Sequence, residues 1–581
     1  MDTAIVEDHG LSMVTRDGVR LVADVYRPAG DGRHPVILLR TPYDRSVRLH
    51  GGPPPEAEFF VPRGFAVVVQ DARGRGESEG TYVPWVDDGQ DGYDAVEWAA
   101  TLDCADGRVG MAGQSALGTA QYLTAATRPP HLFAAAPTSG PVSFFEHRLF
   151  RRGVFEMGWS LSYMLAMSRA TLVRQGRYRE KRSFIDAWVE NPKKPGGFLT
   201  DEAYRHVPVA DWGTRLGEVG AGYVADFLRH DVDGPFWWHM DVRRRFADIT
   251  APMLHVGSWY DAFQFDTLAM YQGLRDGAMT DEARRGQKLV MGPWAHLHPF
   301  TTPTSGSTGD LDFGDDSKIE LLEMQLRWFD HFLRGRDNGV LDEAPVRIFV
   351  MGVNRWRDED EWPLRRARIR ELYAHSGGAA NSLRGDGTMS FEAPGEEPED
   401  MFVYDPHDPV PSCGGPLPNE GQGVFDQRGV EARDDVLVYT SAPMSAPLEI
   451  TGEVRARVFA ASSAPDTDFT AKLVDVWPNG YAQNLVEGII RASYRESLRE
   501  PSPIEPNVVY AYDFRLDATS HVVLPGHALR LEISSSNFPR FARNPNTGGS
   551  AMTETQYVPA TQRVFHDHRY PTHLRLSIVE S

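Results

Sequence analysis

The sequence predicts an α/β domain with a largely parallel sheet, an inserted helical segment and an all-β domain near the C-terminal end. Two continuous apolar runs, PVILLR (35–40) and FAVVVQD (65–71), end in turn residues, which is typical of strands buried on both faces of a parallel sheet. From about residue 354, apolar and polar residues alternate with a period of two between Pro and Gly turns. A chain of 581 residues has room for roughly two to four domains.

The first elements along the chain are predicted to be strands. LSMVTRDGVRLVADVYRP (11–28) contains two alternating runs joined at Asp17-Gly18, a strong signal for a β-hairpin. Between FAVVVQD and RVGMAG (108–113), the segment DGYDAVEWAATL (91–102) has helical spacing of its apolar residues. Strand, helix and strand together predict a βαβ unit.

Two later strands continue the α/β pattern after an interruption. MLHVG (253–257) and KLVMG (288–292) are short apolar strands with a helix-like segment between them. The stretch 145–244 is rich in aromatic and basic residues and is predicted to be helical, as an insertion that covers a site. We therefore expect three domains: an α/β catalytic domain, a helical cap and a jelly-roll β-sandwich, with the limits 1–144 plus 245–353, 145–244 and 354–581.

The charge balance argues against polyanionic partners. The chain has 60 basic and 81 acidic residues, a formal charge of −21, which repels nucleic acid and anionic membrane surfaces. Its two cysteines, Cys104 and Cys413, are too few for a disulfide framework or a cysteine metal site. The N-terminal stretch lacks the pattern of a signal peptide, and no apolar run is long enough for a membrane helix. We expect a cytoplasmic protein.

Ser115 is the candidate nucleophile. It follows the predicted strand RVGMAG and precedes the helical segment ALGTAQYLTAAT (116–127), which is the strand-turn-helix context of a nucleophile elbow. Gly113 relieves crowding on such a turn. The common Gly-x-Ser-x-Gly pattern has its second glycine at position 117, whereas here Leu117 precedes Gly118.

A base and an orienting acid follow the two later strands. Asp261 comes directly after the strand that begins at MLHVG, and His296 and His298 come after the strand that begins at KLVMG. The order Ser, Asp, His is that of α/β-hydrolases, and loops at the carboxyl ends of parallel strands converge on one site. A serine hydroxyl needs an imidazole to take its proton, and a carboxylate to hold that imidazole in the right tautomer.

Several motifs together resemble the cocaine esterase family of α/β-hydrolases, which is related to X-Pro dipeptidyl-peptidases and α-amino-acid ester hydrolases. The resemblance spans nearly the whole chain. It rests on TPYDR (41–45), QDARGRGESEG (70–80), GMAGQSALG (110–118), GSWYDAF (257–263), GPWAH (292–296), RIFVMGVNRWRDEDEWP (347–363), DTDFTAKLVDVWPNG (466–480) and SSSNFPRFARNPNTGG (534–549).

The resemblance implies a role for each site residue. Ser115 is the nucleophile, Asp261 the orienting acid and His296, rather than His298, the base. The oxyanion hole is formed by the Tyr43 hydroxyl and the Ala116 backbone N–H. The family usually has Tyr directly after the nucleophile, so Ala116 is a departure that changes the shape of the pocket.

The residues after Asp261 bear on the substrate. In α-amino-acid ester hydrolases, acidic residues two and three positions after the catalytic Asp help to capture the substrate ammonium; here these positions are Phe263 and Gln264. Phe263, with Trp159 and Phe145 from the aromatic cap segment, favours an aromatic or aliphatic acyl group. The alternative for these aromatic residues is plain core packing.

We therefore expect a serine carboxylesterase that acts on a small-molecule ester through an acyl-enzyme, without cofactor or metal. The family resemblance implies self-association, with a homodimer as one form. Activity should fall at acid pH because neutral His296 is the base. GRGESEG (74–80) is no dinucleotide loop, since Glu79 occupies the position of the last glycine. We expect a structural loop in which Asp71 pairs with Arg73. Two alternatives stay open: an X-Pro dipeptidyl-peptidase or acylase that cleaves amides, and a binding protein on a catalytically silent hydrolase scaffold.

Overall fold

A mixed β-sheet forms the centre of the first domain. The structure, a computed structural model, describes residues 4–46, 53–189, 199–296, 303–417 and 421–580. Within these residues ten strands build the sheet in the order β1-β2-β4-β3-β5-β6-β7-β8-β9-β10. Their bounds are β1 Ile5–Val14, β2 Arg20–Pro28, β3 His34–Thr41, β4 Ala66–Asp71, β5 Ala105–Gln114, β6 Leu132–Thr138, β7 Met253–Tyr260, β8 Gln287–Ala295, β9 Val346–Val350 and β10 Arg355–Glu359.

The central strands of this sheet are parallel. Neighbouring strands from β4 and β3 across to β9 run in the same direction, whereas β1, β2 and β10 are antiparallel to their neighbours. The predicted N-terminal hairpin and buried strands are confirmed. The strands of the predicted βαβ unit are β4 and β5, and β3 lies between them in the sheet.

Helices cover both faces of the sheet, and a second group forms the cap. The helices of the first domain are α1 Pro55–Phe60, α2 Asp88–Ala100, α3 Ala116–Ala125, α10 Gln264–Gly277, α11 Asp281–Arg285 and α12 Leu321–Arg334. The chain between β6 and β7 forms the cap helices α4 Met157–Arg174, α5 Tyr178–Asp186, α6 Asp201–Arg205, α7 Asp211–Gly217, α8 Tyr223–Arg229 and α9 Pro235–Trp238, preceded by a π-helical turn over Phe144–Leu149. The predicted helical insertion is present.

The remaining domain is built from strands, as predicted. In the part of the chain that the structure describes, eleven strands are hydrogen-bonded into one sheet. A short helix, α13 Arg428–Glu431, lies between two of these strands in the sequence. The strands are β11 Arg368–His375, β12 Thr388–Ser390, β13 Asp400–Tyr404, β14 Leu437–Ser441, β15 Leu448–Ser462, β16 Asp468–Val476, β17 Ala482–Arg491, β18 Tyr510–Val523, β19 Ala528–Ser534, β20 Ala560–Phe565 and β21 His573–Val579.

The limit between the α/β and all-β domains differs from the expected one at residue 354. Strand β10 returns antiparallel to β9, with Val346 opposite Glu359, and so belongs to the central sheet. The reversal is made by a tight turn in which Gly352 and Asn354 both have positive φ, at 82° and 50°. The all-β domain therefore begins after Glu359. Alternation in this segment predicted a strand correctly, but could not tell which sheet it joins.

Candidate active site

Ser115 sits at the junction between β5 and α3 in a strained conformation. Its φ is 56° and its ψ is −118°, and its backbone N–H donates to the Thr138 carbonyl at 2.8 Å. A non-glycine residue held in this region costs about 1–3 kcal/mol, which the surrounding structure must offset. Ser115 is thus placed on a sharp strand-to-helix turn, as in a nucleophile elbow.

Two glycines make this turn sterically possible. Gly113 has a φ of 127°, and a Cβ there would lie 2.5 Å from the Leu117 Cβ. A Cβ on Gly118 would lie 2.8 Å from the Thr138 carbonyl oxygen and 3.1 Å from the Gly140 Cα. The glycine that stands one position later than in the common motif therefore allows α3 to pack closely against the loop after β6.

The three predicted chemical groups meet at the carboxyl ends of β5, β7 and β8. The Nε2 atom of His296 lies 2.9 Å from the Ser115 Oγ, and its Nδ1 lies 3.0 Å from the Asp261 Oδ1. The same carboxylate oxygen accepts the Phe263 backbone N–H at 3.0 Å, which fixes its direction. Asp261 and His296 are buried and Ser115 is half-buried. The alternative base, His298, lies outside the described residues.

The Tyr43 hydroxyl lies on the other side of the serine. Tyr43 leaves 41% of its surface exposed, whereas its hydroxyl is buried beside Ser115, near Tyr163 and Arg148. Burial raises the pKa of the Tyr43 hydroxyl, so it stays protonated and can donate. Ala116 is the first residue of α3, where backbone N–H groups have no partner within the helix.

Two of the three predicted pocket aromatics contact the histidine. The rings of Trp159 and Phe263 both meet His296 edge-on, each with centroids 5.0 Å apart. Trp159 comes from cap helix α4, and its indole N–H donates to the Pro416 carbonyl of the all-β domain. All three domains thus contribute to this wall of the site.

The prediction for Phe145 is not supported by its position. Its ring packs on Phe150 at 5.2 Å and on Trp237 at 6.1 Å within the apolar core of the cap. The ring contacts of Phe145 are thus with cap residues, whereas Trp159 and Phe263 contact each other beside His296.

Sequence reasoning missed two residues beside the site, Arg148 and Tyr163. Arg148 lies over the rings of Tyr163 and Phe263, with its Cζ 5.2 and 5.8 Å from their centroids. The one sequence feature that pointed to Arg148 and Tyr163 is the mixture of aromatic and basic residues in the cap segment. The side-chain amide of Gln264 bonds to the backbone of Trp259 and Ala518.

The arginine-rich loop after β4 is structural, but its ion pairs differ from a simple pairing of Asp71 with Arg73. Asp71 bonds to Arg45, whereas Arg73 bonds to Asp17 and Asp91. Among the described residues no group of three His, Cys, Asp or Glu side chains is arranged to hold a metal ion. Nor is any helix of those residues both long and apolar enough to cross a membrane.

Two family models match this chain. Residues 17–298 match the X-Pro dipeptidyl-peptidase (S15 family), and residues 338–575 match the X-Pro dipeptidyl-peptidase C-terminal non-catalytic domain. Both halves of the chain are thus similar to parts of one kind of enzyme.

Whole-chain relatives agree with these matches. The chain is 37% identical to a cocaine esterase from Rhodococcus sp. (strain MB1 Bresler) over 97% of both chains. An aminopeptidase from the marine sediment archaeon Thaumarchaeota archaeon superposes with a TM-score of 0.84 and 27% identity, covering 100% of this chain and 97% of that one. An α-amino acid ester hydrolase superposes with a TM-score of 0.81 and 25% identity, covering 99% of this chain and 97% of that one.

Proposed function

This chain belongs to the cocaine esterase family of α/β-hydrolases, and we propose that it hydrolyses carboxylic esters through an acyl-enzyme formed on Ser115. The observation that carries the proposal is the 2.9 Å distance between the His296 Nε2 and the Ser115 Oγ. Ser115 has a strained backbone conformation and directly precedes helix α3. A weak nucleophile beside a positioned base is the arrangement that acyl transfer requires.

Each group has one task in the first half of the reaction. His296 takes the proton of Ser115 as the Oγ attacks the ester carbonyl, and Asp261 holds the Nδ1–H so that Nε2 is free to accept. The oxyanion that develops is stabilised by the Tyr43 hydroxyl and the Ala116 N–H. The protonated imidazole then gives its proton to the departing alcohol, and an ester bond to Ser115 remains.

Water completes the cycle by the same route. His296 accepts a proton from water, whose oxygen attacks the acyl carbonyl, and the proton returns to the Ser115 Oγ as the acid leaves. The aromatic wall of Trp159 and Phe263 is a surface for an apolar part of the acyl group. No cofactor is needed for any step.

Covalent labelling tests this proposal. A fluorophosphonate should add one label per chain at Ser115 and abolish ester hydrolysis, and Ser115→Ala should take no label. Ser143, a buried serine on the loop after β6, provides a matched control, since Ser143→Ala should label like the wild type. A wild-type protein that hydrolyses no ester and takes no label would instead favour a binding protein on a hydrolase scaffold.

Amide hydrolysis is the second candidate, because one structural relative is named an aminopeptidase. The two are separated by a panel of alkyl esters, aromatic esters, β-lactam amides and X-Pro-p-nitroanilides. We expect esters to have the higher kcat/KM, since Phe263 and Gln264 supply no carboxylate for a substrate ammonium. A strong preference for the anilides would assign a peptidase instead.

Two properties accompany the proposed function. We propose a cytoplasmic location and, from the family resemblance, a homodimer. Light scattering on the purified chain tests the second against the 64.9 kDa of one protomer.

A further inference from the structure

Arg148 is a buried guanidinium in the wall of the proposed acyl pocket. It is 2% exposed and stands on the π-helical turn that opens the cap. It lies over Phe263, whose ring contacts His296, and its positive charge is near the Tyr43 hydroxyl beside Ser115. The cation is therefore close to both sides of the position where an ester would react.

Among the residues that the structure describes, no carboxylate forms an ion pair with Arg148. Its Nη1 donates to the neutral Ser160 Oγ at 3.2 Å, and no carboxylate of the described residues lies within ion-pair distance. Glu156 acts on it from further away, but its Oε1 accepts from Arg540 at 3.0 Å. A buried cation without a counter-ion is expensive in free energy, so such groups are normally paired.

The neighbouring Arg75 differs from Arg148 in how many of its donors the protein uses. Arg75 is equally buried and also forms no ion pair with a described carboxylate, but its Nε and Nη1 donate to the Pro42 and Met167 carbonyls and to the Thr171 hydroxyl. Its planar group is held by the protein itself. Among the described residues the Arg148 side chain makes one hydrogen bond, from Nη1 to Ser160, which leaves its Nε and Nη2 donors uncommitted.

We propose that Arg148 receives a carboxylate on the acyl part of the substrate, so that the preferred substrates are monoesters of short dicarboxylic acids. The inference rests on the proposed function. The apolar wall of Trp159 and Phe263 suits the methylene chain of such an acyl group, and the planar guanidinium matches a carboxylate in two parallel hydrogen bonds. The reaction is the ester hydrolysis proposed above: the alcohol leaves, water is consumed and a free dicarboxylic acid is released.

Stacking of Arg148 on aromatic rings is the competing explanation. Its Cζ lies 5.6 Å from the Trp85 ring centroid as well as near Tyr163 and Phe263, so cation–π contacts contribute to its position. If the residue only packs, its loss should affect charged and neutral esters alike. The ratio of the two activities therefore separates the explanations.

The test compares two esters of similar shape, monoethyl glutarate and ethyl 5-methylhexanoate, by titration of the released acid. In wild type the kcat/KM of the anionic ester should exceed that of the neutral ester. In Arg148→Met this ratio should fall by about 10- to 100-fold, and Arg148→Lys should recover part of it. Arg75→Met is the matched control, whose losses should be equal for both esters.

The outcomes separate the two proposals. A ratio that Arg148→Met leaves unchanged, while both esters are still hydrolysed in a Ser115-dependent manner, overturns the role of Arg148 alone. Hydrolysis of neither ester by the wild type overturns the proposed function. If Arg148→Met does not fold, inhibition of wild-type hydrolysis decides: glutarate should inhibit at least tenfold more strongly than 5-methylhexanoate, and equal inhibition overturns the inference.

Discussion

The Nε2 atom of His296 lies 2.9 Å from the Oγ of Ser115, although 181 positions separate the two residues in the chain. The contact exists because β5 and β8 end at the same edge of the sheet, with β6 and β7 between them. The two side chains are therefore positioned by the central sheet, and sites supported by strands are held more precisely than sites on loops.

Ser115 and His296 are proposed to act as one unit, so the losses of kcat caused by substituting each of them should not add. Ser115→Ala and His296→Ala should each lower kcat for an ester by on the order of 10⁴- to 10⁶-fold, and the double variant should lose no more than either single one. Single-turnover and steady-state rates of the purified variants check this. Losses that multiply in the double variant would show that the serine and the histidine act separately.

Removal of the Tyr43 hydroxyl should cost activity but not substrate binding. Tyr43→Phe should lower kcat by about 10²- to 10³-fold with little change in KM, because the hydrogen bond to the oxyanion exists only as charge develops. Tyr82→Phe is the matched control: its hydroxyl bonds to that of Tyr163 at 3.0 Å, so it should leave kcat within a few-fold. A rise in KM with unchanged kcat in Tyr43→Phe would assign Tyr43 to ground-state binding.

The displaced glycine of the serine turn should tolerate no side chain. Gly118→Ala places a Cβ 2.8 Å from the Thr138 carbonyl oxygen, so α3 must shift and take Ser115 with it. We expect both a lower Tm and a lower kcat. In Gly429→Ala, on α13, the added Cβ has open space, and the Tm should stay the same or rise slightly. Equal effects of the two substitutions would contradict the packing argument.

The sequence was sufficient to predict the placement of those site residues that directly follow strands of the central sheet. Ser115, Asp261 and His296 each follow an apolar strand, and parallel strands bring such residues to one edge without knowledge of any side-chain contact. The pocket depends instead on how the cap docks. Nothing in the alternation of aromatic and basic residues at 144–163 shows that Trp159 faces His296 while Phe145 faces the cap core. For the same reason Arg148 could not be singled out.

Two buried histidines should give opposite pH dependence of stability. Burial alone would disfavour the charged form of His566, but hydrogen bonds to Asp400 and Glu397 outweigh it and raise its pKa. Burial lowers the pKa of His255 to about 4, and His255 is held neutral between Tyr122 and Gln287. His566 thus stabilises the fold as a cation, whereas His255 requires the neutral form.

The signs follow from these shifts. The stability that His566 contributes is complete below its ordinary pKa of about 6.5 and is lost as pH rises through its higher folded value. The Tm deficit of His566→Gln should therefore be larger at pH 6 than at pH 9. His255 makes wild-type stability fall as pH drops from about 6.5 toward 4, and His255→Gln should remove this slope. Parallel Tm curves for wild type and both variants would contradict these assignments.

Asp266 on α10 should make the wild-type fold less stable as pH rises. Burial raises the pKa of Asp266 to about 8 despite the charge of Arg243 nearby, and neither carboxyl oxygen has a hydrogen-bonding side chain among the described residues. Between its ordinary pKa of about 4 and this value, the unfolded chain releases the proton that the folded chain keeps. The folded state binds more protons, so the free energy of unfolding falls across this range.

Asp266→Asn should remove that dependence, because the amide has the shape of the protonated acid and carries no proton to lose. We expect a gain in the free energy of unfolding on the order of 1 to 4 kcal/mol at pH 7, which shrinks toward zero near pH 4. Urea unfolding at pH 5, 6, 7 and 8 measures it, and Asp266→Ala serves as a control that removes the charge but leaves a cavity. A gain that does not grow with pH would show that Asp266 is ionised in the folded protein. Any difference in the free energy of unfolding between the variant and the wild type would then come from packing around α10, which begins three residues after Asp261.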